Sequence, residues 1–253
     1  MPTAAPTVGL FVPCYIDQLY PQVAVATLRV LEAHGCRVVY PPNQTCCGQP
    51  MANAGFEHES HATMRHFVKQ FAEMDYIVAP SGSCVLHVRE HYDALDQTPA
   101  VTHVRKQTYE LCQFLVEVLK IEAMDAHFPY RVGLHAACHG LRGLHLGLPS
   151  ERRAAPFDHV RQVLGMVEGL ELVELARRDE CCGFGGTFAV AEEAVSVKMG
   201  RDRLRDHEQH GAEVIVSTDM SCLMHLQGLA KREQRPVRFA HVAEVLVEDA
   251  VPA

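Results

Sequence analysis

The sequence lacks both an excess of basic residues and any long apolar run. Its 23 Lys and Arg residues face 31 Asp and Glu residues, which gives a formal net charge of −8 and a pI of about 6.0. Since nucleic-acid binding needs a basic face, this balance argues against a nucleic-acid partner. No window approaches the roughly 18 uninterrupted apolar residues of a membrane span, and the first residues lack the pattern of a secretory signal. We therefore expect a cytoplasmic protein without membrane insertion.

Two short motifs are also missing. There is no C-x-x-C pair, the arrangement that thiol–disulfide exchange prefers and that zinc knuckles usually supply. The stretch GFGG, residues 183–186, lacks the full G-x-G-x-x-G spacing of a dinucleotide-binding turn. Ten cysteines are nevertheless present among 253 residues. In a reducing compartment, so many cysteines favour metal binding or redox chemistry over a disulfide framework.

The cysteines follow an order that occurs twice. Cys181 and Cys182 are adjacent, and a disulfide between neighbours would strain the peptide that joins them. The tripeptide Cys-Cys-Gly occurs at residues 46–48 and 181–183, although chance composition predicts it only about 0.03 times. In each half a single cysteine precedes this tripeptide and an S-C-x-x-H sequence follows it. The two sets are Cys14, Cys46, Cys47 and Cys84 followed by His87, and Cys138, Cys181, Cys182 and Cys222 followed by His225. This order indicates a duplicated domain that holds a cofactor through four sulfurs.

Apolar segments alternate with helical patterns in both halves. We predict three strands per half, each leading to a cysteine, with helices between them. The predicted strands lie in TVGLFVPC, CRVVYPP and DYIVAPSGSC, and in YRVGLHAAC, LELVEL and AEVIVSTDMSC. The predicted fold class is α/β, with two pseudo-repeated βαβαβ halves, parallel sheets and the cysteines at the carboxyl ends of the strands. A helix is predicted over about residues 105–120, and the expected domains are 1–125 and 126–253.

Three kinds of chemistry use clustered thiolates: a tetrahedral zinc site, thiol–disulfide exchange and an iron–sulfur cluster. The wide spacing of the cysteines and the missing C-x-x-C pair disfavour the first two. An iron–sulfur cluster needs several soft thiolates and a closely approaching backbone, for which glycines with positive φ are suited. The candidate cofactor-binding glycines are Gly48, Gly183, Gly185 and Gly186. A zinc-binding structural scaffold and a thiol/disulfide redox enzyme remain alternatives.

Other cysteines and polar residues lie near these motifs. Cys36 and Cys112 fall outside the repeated sets, and their apolar surroundings predict buried packing positions. His135, His139 and Arg142 flank the first cysteine of the second set. A guanidinium can bind a carboxylate through two hydrogen bonds, and a histidine can transfer a proton. His139 and Arg142 are therefore candidate catalytic residues, with a structural role beside the sulfurs as the alternative.

The repeated cysteine pattern, together with HAACH and DECCGFGGTF, resembles the CCG-domain (cysteine-rich domain) iron–sulfur family over nearly the whole chain. The likeness is greatest to the lactate-utilization branch of this family. The iron–sulfur subunit of glycolate oxidase and the CCG-containing subunit of heterodisulfide reductase are more distant relatives. The resemblance implies one or two [4Fe-4S] clusters, of the noncubane type in heterodisulfide reductase, held by the eight repeated cysteines. It also implies a redox subunit that relays electrons in a complex oxidising L-lactate, or a related 2-hydroxy acid, to pyruvate.

The same resemblance implies partner proteins, and this chain differs from the heterodisulfide reductase pattern in one respect. The expected partners are a ferredoxin-like iron–sulfur protein and a third small protein. The 2-hydroxy acid is expected to be the substrate of the whole complex, and the chain is expected to be active only in that complex. Heterodisulfide reductase ends each cysteine set with C-x-x-C, whereas this chain has His87 and His225 in place of the last cysteine. Imidazole can ligate iron and raises a cluster's potential in known cases. His87 and His225 are therefore additional candidate metal ligands, and the alternatives are that each only hydrogen-bonds a sulfur or leaves an iron open.

Overall fold

The computed structural model describes residues 6–247. The chain forms two compact units, one up to Lys120 and one from Ile121 onward, and the division lies shortly before the boundary expected at residue 125. Each unit contains one four-stranded sheet whose described strands are all parallel. Parallel strands need crossover connections, which explains why helices lie between successive strands along the chain.

The described residues of the first unit form four strands. They are β1 Thr7–Leu10, β2 Arg37–Val39, β3 Tyr76–Ala79 and β4 Thr108–Glu110. Their order in the sheet is β2-β1-β3-β4. The α-helices span Cys14–Leu19, Pro21–Ala33, Gln49–Asn53, Glu57–Phe71, Gly82–Leu86, Pro99–Gln107 and Leu111–Gln113. Shorter turns are π-helical at His87–His91 and Phe114–Leu119, and of the 3-10 type at Tyr92–Ala94.

The second unit repeats this order of strands. They are β5 Arg131–Leu134, β6 Glu171–Leu172, β7 Val214–Ser217 and β8 Arg238–His241, in the sheet order β6-β5-β7-β8. The α-helices span His159–Leu164, Phe188–Ala191, Glu193–Gln209, Met220–Arg232 and Val242–Val245, and a π-helical turn spans His139–Gly143. In both sheets the first strand of the unit lies beside the third, so the strand order reverses at the same place.

The helix Glu57–Phe71 shows how an apolar face is placed against the first sheet. Met64, Phe67 and Phe71 recur at the spacing of one helix face, and all three are buried. The ring of Phe67 contacts the ring of Phe11 with 4.8 Å between centroids, edge to face. Since Phe11 directly follows β1, this contact fixes the end of the strand that leads to the first cysteine.

The predicted fold class is confirmed. Both halves have parallel sheets with helices between the strands, and each of the six predicted strand segments contains an observed strand. Each sheet also has a fourth strand that the sequence patterns do not predict, β4 in the first unit and β8 in the second. The repeat is thus one strand longer in each half than the βαβαβ plan.

The segment 105–120 differs from the single helix that the sequence predicts. The helix Pro99–Gln107 ends inside it, and β4 pairs with β3 immediately afterwards. The free edge of β3 presents backbone groups that a neighbouring strand can satisfy and a helix cannot. Glu110 then accepts hydrogen bonds from the backbone N–H groups of Cys112 and Gln113 at 2.7 and 3.2 Å, which caps the next helical turn. Pairing across the sheet therefore outweighs the local helical pattern.

The longest helices, Glu193–Gln209 and Glu57–Phe71, have 17 and 15 residues. Neither of them, nor any other helix within residues 6–247, combines the length and the apolar character that crossing a membrane requires.

Truncating Phe67 to alanine should destabilise the protein strongly. The ring is 1% exposed and contacts Phe11 and Phe71 with centroid distances of 4.8 and 4.6 Å, so its removal leaves a cavity in a packed core. We expect a loss of about 3–5 kcal/mol in the free energy of unfolding, measured by guanidinium denaturation. Phe56→Ala is the control, since that ring is 56% exposed and its removal should change stability little. Equal effects of the two substitutions would contradict the described core.

Candidate metal centre

Four cysteines of the first unit lie where three neighbouring strands end. Cys14 begins the first helix after β1, and Cys46 and Cys47 lie in the loop after β2. Cys84 lies in the helix Gly82–Leu86 that follows β3. Because β1, β2 and β3 are parallel neighbours, their carboxyl ends meet at one edge of the sheet and bring these side chains together.

The four sulfurs of this set interact directly. Cys46 shares hydrogen bonds with the thiols of Cys14 and Cys47, and Cys47 shares one with Cys84. The backbone N–H of Gly48 donates to Cys46 Sγ at 3.4 Å. These donors, the two thiols foremost, lower the pKa of Cys46 to about 3, while the hydrogen bond to Cys46 and burial raise the pKa of Cys14. One sulfur is thus the favoured thiolate, and a metal cation would allow the others to ionise as well.

The second unit repeats the arrangement. Cys138 follows β5, Cys181 and Cys182 lie in the loop after β6, and Cys222 lies in the helix that follows β7. Cys181 shares hydrogen bonds with the thiols of Cys138 and Cys182, and Cys182 shares one with Cys222. The sulfurs therefore form a second connected set at the carboxyl edge of the second sheet.

Backbone amides also donate to the sulfurs of this second set. The N–H of Gly183 donates to Cys181 Sγ at 3.4 Å, and the N–H of Phe184 donates to Cys182 Sγ at 3.5 Å. Together with the Cys138 and Cys182 thiols, which contribute most, the Gly183 N–H lowers the pKa of Cys181 to about 2. Hydrogen bonds to sulfur are among the factors that set the potential of an iron–sulfur cluster.

Each set is buried on one side and reaches solvent on the other. Cys47, Cys84 and Cys182 are 1%, 5% and 2% exposed. The half-buried members are Cys14, Cys46, Cys138, Cys181 and Cys222. A group held by these sulfurs would be shielded by the protein and still accessible to a partner from one side.

His87, which is buried, and His225, which is half-buried, place their rings beside the two sets. Neither Nε2 atom has a hydrogen-bond partner within residues 6–247, and a Cβ on Gly48 would lie 3.6 Å from His87 Nε2. Burial, and then the neighbouring His91, lower the pKa of His87 to about 4, and burial also lowers the pKa of His225. Both rings are therefore neutral at pH 7, the form in which imidazole binds metals. Their ligand role stays a prediction.

His135 lies closer to the sulfurs than its place in the sequence suggests. One ring nitrogen of His135 and the sulfurs of Cys182 and Cys222 all lie within 4.8 Å of one another. The side chain is 1% exposed, and neither ring nitrogen has a hydrogen-bond partner among the described residues. In the sequence His135 stands out only as a neighbour of Cys138. The signal that could have identified it is a lone polar residue in the apolar stretch VGLHAA at a strand end.

The predicted glycines all have positive φ. Gly48 and Gly183, which follow the paired cysteines, have φ of 98° and 88°, a conformation that side chains other than glycine rarely adopt. A Cβ on Gly183 would also lie 2.7 Å from the Ser196 carbonyl oxygen. Gly185 and Gly186 have φ of 54° and 63°. The contact of these four glycines with a cofactor stays a prediction.

Arg142 already has protein partners. Its Nε and Nη2 donate to the two carboxylate oxygens of Glu151 at 2.7 and 3.1 Å, and its Nη1 donates to the Asp179 carbonyl oxygen at 3.1 Å. It thereby joins the segment after Cys138 to the segment before the paired cysteines. His139 is exposed at the start of the π-helical turn. The catalytic assignment of both residues stays a prediction.

A cavity of about 550 Å³ lies in the second unit, and its lining includes Ala136 and Asp179, which precede Cys138 and Cys181. Apolar side chains form part of the lining, and Arg161, whose guanidinium is ion-paired with Glu174, adds a charged group together with Asp158 and Asp179.

The remaining cysteines lie apart from both sets. Cys36 and Cys112 are 7% and 0% exposed, in agreement with their predicted packing role. None of the ten cysteines, all of which fall within the described residues, forms a disulfide.

These features fit an iron–sulfur group. Each set offers four soft sulfur donors, each of which interacts with at least one other, at least one amide hydrogen bond to sulfur and a buried imidazole nitrogen without a partner in the described structure. A tetrahedral zinc ion would use the four sulfurs, but it would leave the extra imidazole nitrogens unsatisfied.

Comparison with known proteins identifies the domain type. The cysteine-rich CCG domain matches residues 8–89 and again 132–227. The chain is 42% identical over 250 residues to lactate utilization protein A of Exiguobacterium sp., covering 96% of this chain and 98% of that protein. It is 39% identical over 243 residues to lactate utilization protein A of Halalkalibacterium halodurans, covering 94% of this chain and 96% of that protein.

A solved structure shares the architecture. The crystal structure of a hypothetical protein from Helicobacter pylori superposes with a TM-score of 0.56 at 12% identity, covering 97% of this chain and 51% of that one. At this identity the likeness shows the fold alone. The resemblance inferred from the cysteine pattern is confirmed by both halves matching the same domain and by relatives of nearly equal length: the chain belongs to the cysteine-rich CCG-domain family.

Proposed function

We propose that the chain is an iron–sulfur redox subunit of a complex that oxidises L-lactate, or a related 2-hydroxy acid, to pyruvate. The observation that carries this proposal is the pair of four-sulfur sets, each at the carboxyl edge of a parallel sheet with amide donors aimed at sulfur. The names of the relatives support the choice of lactate. A bound iron–sulfur cluster supplies reversible one-electron storage.

The proposed ligands follow the two sets. Cys14, Cys46, Cys47 and Cys84 would hold one group, and Cys138, Cys181, Cys182 and Cys222 the other, each of the [4Fe-4S] type. His87 and His225 are the additional candidate ligands, because their buried Nε2 atoms lack partners among residues 6–247. The glycines after the paired cysteines allow the backbone to turn its amides toward sulfur.

The chemistry of lactate oxidation determines which electron-transfer steps this chain and its partners carry out. Oxidation of lactate to pyruvate releases two electrons and two protons, and two sites that each take one electron match this requirement. The half-buried sulfurs on the open side of each set allow a partner to approach and pass electrons on. We propose a ferredoxin-like iron–sulfur protein and a third small protein as partners. A cytoplasmic location belongs to the same proposal, since free thiolates persist in a reducing compartment.

His139 and Arg142 receive different proposed roles. Because the Arg142 guanidinium is bound to Glu151 and Asp179, it is placed to hold the loops around the second set. His139 is exposed and is the residue of the two that can exchange a proton with a substrate or partner. Direct participation of either residue in catalysis remains part of the proposal.

Protein purified without oxygen should be brown and contain iron and acid-labile sulfide. Cys181→Ser and Cys182→Ser should each lose the iron of the second set, because serine is a poor ligand for a cluster held by soft thiolates. Metal analysis and EPR spectroscopy measure the iron content of the native protein and its loss in the two variants. Cys36→Ala is the matched control, since Cys36 is buried outside the sets and its loss should leave iron unchanged. Colourless protein with stoichiometric zinc after reconstitution would instead favour a structural scaffold.

Replacing Gly183 by alanine should empty the second set selectively. The added Cβ would lie 2.7 Å from the Ser196 carbonyl oxygen and 2.8 Å from Met199 Cβ, so the turn that carries the paired cysteines must move. We expect iron per chain to fall by roughly half, because one of the two sites is lost. Gly55→Ala imposes a similar strain at φ of 90° with nothing within 4 Å, and it should retain iron. Equal retention by both variants would show that the turn does not shape the site.

The lactate assignment is tested with the partners present. L-Lactate added anaerobically to the chain and its partner proteins should bleach the visible absorbance of the chain and yield pyruvate. Omission of the partners should abolish this reduction, because the chain relays electrons and the complex oxidises the acid. Bleaching by a thiol or disulfide substrate, and not by lactate, would favour the thiol/disulfide redox enzyme.

A further inference from the structure

The two units differ in the residue that follows the strand leading to the first cysteine of each set. Phe11 in the first unit and His135 in the second occupy the same place in the repeat. Each is the residue immediately after the central strand, β1 or β5. Each donates its backbone N–H to the neighbouring strand, Phe11 to the Val78 carbonyl oxygen at 2.9 Å and His135 to that of Val216 at 2.8 Å. The backbone geometry is therefore equivalent, and only the side chain has changed.

The residues that surround this position are likewise apolar in the first unit and polar or charged in the second. Phe11 packs against Phe67 and Phe71, with ring centroids 4.8 and 5.9 Å away, and the three form an apolar cluster. The corresponding long helix of the second unit carries Arg203 and His207 at the same four-residue spacing. The match in position is shown by two glycines. A Cβ on Gly9 of β1 would contact Phe71, and a Cβ on Gly133 of β5 would contact His207.

Arg203 introduces a permanent charge into this second cluster. Its side chain is completely buried, its Nε donates to His207 Nε2 at 3.1 Å, and its Nη2 lies 3.2 Å from Asp206 Oδ2. An arginine guanidinium stays protonated in proteins. This ion pair and His207 take the place that Phe67 and Phe71 occupy in the first unit.

The ring of His135 lies beside the sulfurs of the second set. It is 1% exposed, both of its nitrogens lack hydrogen-bond partners among the described residues, and one of them lies within 4.8 Å of the Cys182 and Cys222 sulfurs. A buried N–H without a partner is costly, and the Cys182 and Cys222 sulfurs are neighbouring acceptors that a shift of the ring or of the sulfurs would bring to hydrogen-bond distance. Phe11 can make no such bond in the first unit.

We propose that His135, supported by Arg203 and His207, donates a hydrogen bond to the sulfur ligands of the second unit and gives that site a higher reduction potential than the first. This inference rests on the proposed iron–sulfur function. Hydrogen bonds to sulfur and nearby positive charge both stabilise the added electron of the reduced state. At the equivalent place the first unit has three phenylalanines, which supply neither a side-chain N–H donor nor a charge. Electrons within this chain therefore reside preferentially on the second site. His135 raises the reduction potential of that site and thereby sets the direction in which electrons move.

Single-site proteins allow the two potentials to be measured separately. Cys46→Ser leaves only the second site loaded, and Cys181→Ser leaves only the first. In an anaerobic redox titration followed by EPR, the second site should have the higher potential. His135→Phe, made in the Cys46→Ser protein, should shift the reduction equilibrium at least tenfold toward the oxidised state, which corresponds to about 59 mV for one electron. His135→Gln retains an N–H donor and should keep most of the original potential.

The reciprocal variant tests the same point from the other unit. Phe11→His, made in the Cys181→Ser protein, should raise the potential of the first site. Equal potentials in the two single-site proteins, which carry the native residues at positions 11 and 135, would overturn the inference even if His135→Phe failed to bind iron. Strong nitrogen hyperfine coupling that disappears in His135→Phe would also overturn it, because it would make His135 an iron ligand. Absence of iron from all proteins would overturn the proposed function instead.

Discussion

Each unit depends on bringing four sulfur atoms into contact at the edge of a parallel sheet. Thiolates repel one another, and the hydrogen bonds that make Cys46 and Cys181 the favoured thiolates are made by neighbouring thiols and backbone amides. The strands β1, β2 and β3, and likewise β5, β6 and β7, end side by side, so residues far apart in sequence converge without a local motif. This convergence explains the wide spacing of the cysteines, the paired cysteines in the middle and the glycine that must follow each pair.

Much of this could be predicted from the sequence because it is repeated. The order of cysteines, the positive φ after each pair and the strands that lead to them follow from local patterns that occur twice. The fourth strands could not be predicted in the same way. The segment that contains β4 has a helical pattern, and only the free edge of β3 makes a strand more favourable there. The sequence also offers Arg142 as a free cation, whereas its partners Glu151 and Asp179 lie in other loops.

The asymmetry between the units was the hardest feature to predict. Arg203 and His207 lie in a helix rich in charged residues, where a solvated face is the ordinary expectation, and yet both are completely buried. Their burial depends on β5, where Gly133 leaves room for the His207 ring. The two halves thus share the sulfur sets and the backbone, while the neighbouring side chains differ, with three phenylalanines in the first unit and two histidines and an arginine in the second. A repeated fold with unequal surroundings can hold two similar redox groups at different potentials.

The central claim is that both sulfur sets hold iron–sulfur clusters. Mössbauer spectroscopy of anaerobically prepared, iron-57-enriched protein tests it most directly, because it counts all the iron and distinguishes clusters from isolated ions. The account predicts cluster signals from two sites, one of which disappears in Cys46→Ser and the other in Cys181→Ser. Mononuclear iron alone, or a fully folded protein that retains zinc and takes up no iron, would contradict it.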